Sequence, residues 1–260
     1  MKKFILLFIL SLILLLSGCA RSQNGAEIIP PVQVSPTPDT PSFEEDEEER
    51  KTKSYAVSSV NGLRVRSSAN DSASVLGTLD KNDAVLIIDK KGNYYQTVFR
   101  EKTAYVYAAY CSVMEVESEQ DSVEKAIEIG CSLLGHPYVW GSQRYHWGNG
   151  KLNSNFVKGE FDCSALVQYI YYKANKTILD VTSRAQSYNG VEVKKSELKR
   201  GDLMFFTNAS RKNKVGVERI GHVAIYFGNN YVLHTASDHA VIEPISATRW
   251  SYYITARRVV

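Results

Sequence analysis

The chain has 260 residues, 44% of them hydrophobic and 23% charged, and a formal net charge of +3. This composition supplies one or two packed cores and excludes a fibrous or wholly disordered protein. Residues 1–50 carry a net −4 and the remainder a net +7 without a basic run, a surplus that suits an anionic polymer surface without specifying one.

The first twenty residues, MKKFILLFILSLILLLSGCA, set two lysines ahead of an apolar run from Phe4 to Leu16 that ends in small residues. Such a run is short for a spanning helix and reads as a secretory leader. Its LSGC ending resembles a bacterial lipobox, which implies that Cys19 is acylated and anchors the mature chain to a membrane, each buried CH2 contributing about 0.8 kcal/mol. The alternative is a plain leader that happens to contain a cysteine. Residues 1–18 are expected to be the lipoprotein signal peptide and residues 19–53 a tether. Five of the seven prolines and the acidic run EEDEEE lie there, so stiffness and like-charge repulsion keep it extended. An exported, tethered protein is not expected to meet nucleic acid.

Between residues 54 and 118 the pattern changes to short strands. Leu63 and Val65 alternate with Arg64 and Arg66; Val75 to Leu79, Ala84 to Ile88, Tyr94 to Val98 and Ala104 to Val106 follow, separated by Asn, Asp, Gly and Ser. Five short strands in this span predict a small all-β barrel. The order NGLRVRSSANDSASVLGTLDKNDAVLII, GNYYQTV, AYVYAAYC resembles the bacterial SH3-like domain of wall-associated proteins. It departs from that family's N-V-R-S-G-P where this chain reads LRVRSSA. Tyr94, Tyr95, Tyr105 and Tyr107 are either core and rim of the barrel or contacts for peptide or glycan.

Residues 119–260 are expected to form a second domain. Asp121-Ser122 predicts a capped helix through about Leu134, stopped by Gly135 and Pro137. In GEFDCSALVQYIYYK, residues Cys163, Leu166, Val167 and Ile170 recur at helical spacing on one face. Strands are expected at Leu203–Phe206, Ile220–Phe227, Tyr231–Thr235 and Tyr252–Val259, making the domain α+β.

Cysteine count narrows the chemistry. With Cys19 acylated, Cys111, Cys131 and Cys163 remain, so at most one disulfide forms and one thiol stays free. Cys131 lies on the apolar stripe Val123, Ile127, Cys131, Leu134, so Cys111 and Cys131 are inert core thiols or a pair. Cys163 stands at a helix start, where unpaired amides and the helix dipole favour a thiolate. A nucleophilic thiol also needs a base and a group that orients it. His222 and His234 lie on successive strands flanking Gly228-Asn229-Asn230; a three-residue loop sets them on one face, a two-residue loop on opposite faces. The same Cys and two His also describe a catalytic zinc set, although the close-spaced pairs of a structural zinc site are absent from the sequence. His239 reads as a loop residue.

Four ordered blocks, PYVWG at 137–141, FDCSALV at 161–167, RGDLMFF at 200–206 and GHVAIY at 221–226, resemble the NlpC/P60 cysteine peptidases over residues 123 to about 257. The resemblance implies a papain-like fold with Cys163 as nucleophile, His222 as base and His234 as third polar residue. It sets Tyr138 beside the thiol near the oxyanion, and Asp162, Ser164, Trp140 and Ser183 among the substrate contacts, the first two holding the substrate's amino-terminal end. It implies a peptidoglycan stem-peptide hydrolase cutting the γ-D-glutamyl–diamino acid bond, without metal or organic cofactor, and the protein is expected to be a monomer. The open alternatives are an amidase or acyltransferase on the same fold, or a wall-binding module with an idle catalytic domain. Two departures stand out: SQRYHWGNGKLNSNFVKGEF at 142–161 is long and is expected at the cleft rim, and LDVTSRAQ at 179–186 lacks the family's Pro-Arg.

Overall fold

The computed structural model describes residues 51–260 except Ser237; the expected leader, Cys19 and nearly all of the tether lie outside the described residues. No helix among the described residues is long and apolar enough to cross a membrane.

Eight strands form the amino-terminal barrel: β1 (Thr52–Ser58), β2 (Leu63–Arg66), β3 (Val75–Leu79), β4 (Ala84–Leu86), β5 (Asp89–Lys91), β6 (Tyr94–Phe99), β7 (Lys102–Tyr107) and β8 (Cys111–Glu117). They pair as two antiparallel sheets, β4-β1-β8 and β3-β2-β7-β6-β5. Alternation puts Leu63, Val65, Val85, Ala104 and Val106 inside and leaves Arg64 exposed. The five strands expected from the pattern are present. Three further strands, β1, β5 and β8, are not expected from it; β5 is wholly exposed and β8 largely so, which removes the alternation that would mark these two.

The second domain packs α1 (Asp121–Ser132) and α2 (Cys163–Asn175) on a six-stranded antiparallel sheet. After α2 come α3 (Ser183–Gln186) and the edge strand β9 (Val191–Val193); then follow β10 (Leu203–Phe206), β11 (His222–Gly228), β12 (Tyr231–Ala236), β13 (His239–Pro244), α4 (Ala247–Ser251) and β14 (Tyr253–Arg258). The spatial order is β13-β12-β11-β10-β14-β9. Leu203, Phe205, Val223, Ile225 and Leu233 join the main core with the helices, while Met204, Phe206, Ala224 and Val232 form a second cluster against Ile245 and Trp250. The α+β architecture agrees with the sequence reading. Gly130 lets α1 lie close on the sheet, since a Cβ there would come 2.5 Å from Leu233 Cδ1.

Helix α1 does not start as expected. Asp121 is its first helical residue, Gln120 caps it without a side-chain bond, and Glu124 Oε1 instead accepts the Glu119 amide at 3.1 Å. Its carboxyl end is closed by the barrel: in the β6–β7 turn, the Arg100 and Glu101 amides donate to Leu134 and Ser132 carbonyls at 2.9 and 2.7 Å, and Arg100 Nε donates to the Gly135 carbonyl at 2.7 Å. Carbonyls that a helix leaves unpaired are thus satisfied from the other domain.

A buried polar joint completes the union. Arg200 donates to Glu124 Oε1 at 2.7 Å, to the Tyr55 hydroxyl at 2.6 Å and to the Phe227 carbonyl at 2.6 Å. Its guanidinium lies 4.4 Å from the centroid of the Phe227 ring. A charged pair this enclosed is costly to break from one side, because the survivor is left buried and unpaired. Arg200→Met is expected to destabilise the fold by about 3–5 kcal/mol. The double variant Arg200→Met/Glu124→Gln is expected to recover part of that loss in urea denaturation; equal losses in both would contradict the pairing.

Candidate active site

Asp162 caps α2: its Oδ1 accepts the Ala165 amide at 2.9 Å, so Cys163 becomes the first helical residue. The residue that starts the helix therefore also aims the thiol. Arg144 holds this start from outside, its Nη2 donating to Asp162 Oδ2 at 2.9 Å and to Ser164 Oγ at 3.1 Å, and its Nη1 to the Ser142 carbonyl at 2.6 Å. Gln186 from α3 donates to the Ser164 carbonyl at 3.0 Å.

The histidines meet from the other side. The β11–β12 connection is a two-residue turn at Asn229-Asn230, both left-handed with φ of 49° and 63°, which alone would split His222 and His234 between faces. A bulge between Tyr226 and Gly228 adds one residue to β11 and restores the parity. His222 Nε2 and His234 Nδ1 lie 2.9 Å apart. The two rings share a face, through a bulge after a two-residue turn rather than through a three-residue loop.

The chain of contacts continues to a residue not anticipated. His234 Nε2 lies 2.9 Å from Glu243 Oε1, and Arg249 Nη2 donates to that same oxygen at 2.6 Å. An ionised carboxylate only accepts, so His234 Nε2 carries a hydrogen and its Nδ1 is bare. Bare Nδ1 accepts from His222 Nε2–H, which leaves His222 Nδ1 as the unprotonated nitrogen of the neutral ring. Glu243 thus orders two tautomers in series.

Electrostatics favour neutral partners at rest. Burial pushes the His222 ring well below the ordinary histidine value, helped by His234 and Arg249; one edge still opens on the cleft. Burial also lowers His234, against the opposing pull of Glu243. Glu243 itself is pushed up by burial, but bonds from His234 and the charge of Arg249 more than offset this and hold it below the usual range. Burial, then the Asp162 carboxylate, push the Cys163 thiol up to about 11, opposed by the Val223 and Ser164 amides and by Arg144. Desolvation therefore outweighs the helix start.

Cys163, His222 and Tyr138 open on one cleft of about 480 Å3, with Asn208 and Arg249 among its walls. It lies at the sheet's end, where β10 stops and β11 begins. Burial raises the Tyr138 hydroxyl first, then its proximity to Cys163 and Asp162. Asp162 and Ser164 are buried beneath Arg144, Ser183 opens α3 and is buried, and Trp140 is 85% exposed on the surface. Segment 142–161, expected at the rim, instead sheathes α2: Tyr145 packs on Phe156, Tyr169 and Tyr172, and fully buried His146 lies against Tyr172. Cys111 and Cys131 are free, their thiols pushed up by burial to about 11 and about 12. His239, expected in a loop, opens β13, and no cluster of metal-ligating side chains occurs among the described residues.

Fold and site together define a papain-like domain with a Cys-His-His array, preceded by an SH3-like barrel. Residues 135–259 match the NlpC/P60 family and residues 61–112 match the bacterial SH3 domain. The chain therefore carries an NlpC/P60 domain behind a bacterial SH3 domain. It is 32% identical over 155 residues to the peptidoglycan DL-endopeptidase CwlO of Bacillus licheniformis, covering 58% of this chain and 31% of that protein. It is 29% identical over 169 residues to the gamma-D-glutamyl-L-lysine dipeptidyl-peptidase of Bacillus subtilis, covering 64% of this chain and 49% of that one. The chain thus spans less than half the length of either relative. A crystal structure of an NlpC/P60 family protein from Bacillus cereus aligns over 80% of this chain and 63% of that chain at 22% identity, with a TM-score of 0.42.

Two measurements probe the array. Glu243→Ala is expected to lower kcat on the order of 100-fold with little change in KM, since the base loses its fixed tautomer. Glu243→Gln, whose carbonyl oxygen still accepts from both His234 and Arg249, is expected to keep most activity. Alkylation of Cys163, followed by mass spectrometry, is expected to accelerate toward a midpoint of about 11; a plateau at neutral pH would mean a thiolate at rest.

Proposed function

We propose that the protein is an exported peptidoglycan hydrolase, a cysteine endopeptidase acting on stem peptides at the γ-D-glutamyl–diamino acid bond. The observation that carries this reading is the Glu243-ordered pair of imidazoles sharing one cleft with Cys163. The Cys163 sulfur attacks the scissile carbonyl as its proton passes to His222 Nδ1. Helix-start amides and the Tyr138 hydroxyl face the developing oxyanion. Collapse breaks the C–N bond, His222 returns the proton to the leaving amine, and a thioester remains. Water then attacks, giving a proton to His222; the C–S bond breaks and the sulfur recovers that proton as the acid departs.

Arg144 favours internal cleavage over removal of a dipeptide from a free amino end. Asp162 and Ser164, the groups that family resemblance assigns to a substrate ammonium, are already engaged by its guanidinium. Glycan-linked stems lack that ammonium and make no demand on them. Acylated Cys19 would hold the protein, a monomer, at the membrane facing its substrate, with the proline-rich stretch as spacer.

The test uses the full chain in detergent with defined muropeptides and mass-spectrometric product analysis. Expected products end in γ-D-glutamate, from glycan-linked stems in preference to free-amino stems, and Cys163→Ala gives none. Cleavage that survives Cys163→Ala, or product masses that place the cut elsewhere, would defeat the assignment.

A further inference from the structure

The barrel carries a second concave site that shares no residue with the cleft. It is about 430 Å3, close to the volume of the cleft itself, and lies among Arg64, Arg66, Asp71, Tyr107, Tyr110 and Val60. Ligand sites of peptide fragments fall in this size range.

Its chemistry is set by strand period and by what its charges already touch. Arg64 and Arg66 are two apart on β2, so both project from the same side of the strand. Arg64 is exposed, and neither arginine forms an ion pair among the described residues. Arg66 uses one N–H on the Ala73 carbonyl at 3.0 Å, and the rest of its fork is open. Asp71, the acid at the site, is taken by the Tyr94 hydroxyl. Two guanidinium groups against one occupied carboxylate leave a single positive charge in excess. Behind them stand three tyrosines in ring contact, Tyr94–Tyr107 edge to face at 5.2 Å and Tyr107–Tyr110 tilted at 5.7 Å between centroids. Tyr110 is 51% exposed and Val60 37%, giving the site an apolar flank.

We infer that this groove binds a short peptide by its free carboxylate, Arg64 and Arg66 clamping the carboxylate and Tyr107 and Tyr110 packing on the preceding residue. The planar arginine fork matches a carboxylate bidentately, and an excess of one charge suits one carboxylate better than a polyphosphate. The aromatic wall takes the flat peptide unit and a small side chain. The inference stands on the groove alone and does not depend on the peptidase reading.

The experiment titrates the full chain in detergent with N-acetyl-trialanine bearing a free carboxylate, with its carboxy-terminal amide, and with inorganic phosphate as competitor, read by calorimetry. The free acid is expected to bind at least ten-fold tighter than the amide, weakening with salt, and phosphate is expected to compete poorly. Arg64→Gln/Arg66→Gln should lose that ten-fold, and Arg64→Lys/Arg66→Lys should keep part of it. Soluble-muropeptide hydrolysis by the Gln pair at the parent rate would show the fold and cleft intact. Equal binding of acid and amide, undiminished binding by the Gln pair, or phosphate displacing the peptide at lower concentration than the free acid does would each overturn the inference.

Discussion

A carboxylate that can only accept hydrogen bonds terminates a row of two imidazoles, and the chemistry of the cleft follows from that constraint. Glu243 at 2.9 Å from His234 Nε2 decides which nitrogen of His234 is bare, and His234 at 2.9 Å from His222 decides the same for His222. The unprotonated nitrogen of His222 is therefore Nδ1, on a ring that lines the same cleft as Cys163. Arg249 keeps Glu243 ionised while it does this. A neutral thiol beside a neutral, low-basicity imidazole is a poor pair for storing a thiolate and a suitable one for passing a proton during attack.

The row exists because of a bulge, and the bulge is held by the domain joint. A two-residue turn at Asn229-Asn230 would place the histidines on opposite faces; the residue added before Gly228 returns them to one. A bulge leaves a carbonyl outside the ladder, and Arg200 donates to Phe227 oxygen at 2.6 Å. That arginine is held in turn by Glu124 of α1 and Tyr55 of β1. The barrel is accordingly part of the second domain's framework: it seals the end of α1 through Arg100 and Glu101 and joins in fixing the arginine that supports the bulge.

Much of this was legible in the residues. The position of Cys163 at a helix start followed from FDCS and apolar spacing, and two histidines on adjacent strands pointed to a base and its orienter. Glu243 is not marked by local pattern because β13 is weakly signalled: His239 reads as a loop residue, and the alternation of buried Ala240 and Ile242 with Val241 and Glu243 is only four residues long. The bulge was invisible for a different reason, since strand parity across a turn depends on one residue that no periodicity marks. Arg144 and Arg200 serve partners 18 and 76 residues away, a separation beyond the reach of local pattern. The long segment at 142–161 carried aromatic residues that fit a rim equally well; packing on Tyr169 and Tyr172 of α2 determined its place.

The ordering of the imidazoles is most directly read by nitrogen-15 NMR of the histidine side chains in the resting protein. At neutral pH both His222 and His234 are predicted to be uncharged and protonated at Nε2, with His222 remaining neutral well below pH 6.5. A His222 ring carrying its hydrogen on Nδ1, or an imidazolium at neutral pH, would contradict the account.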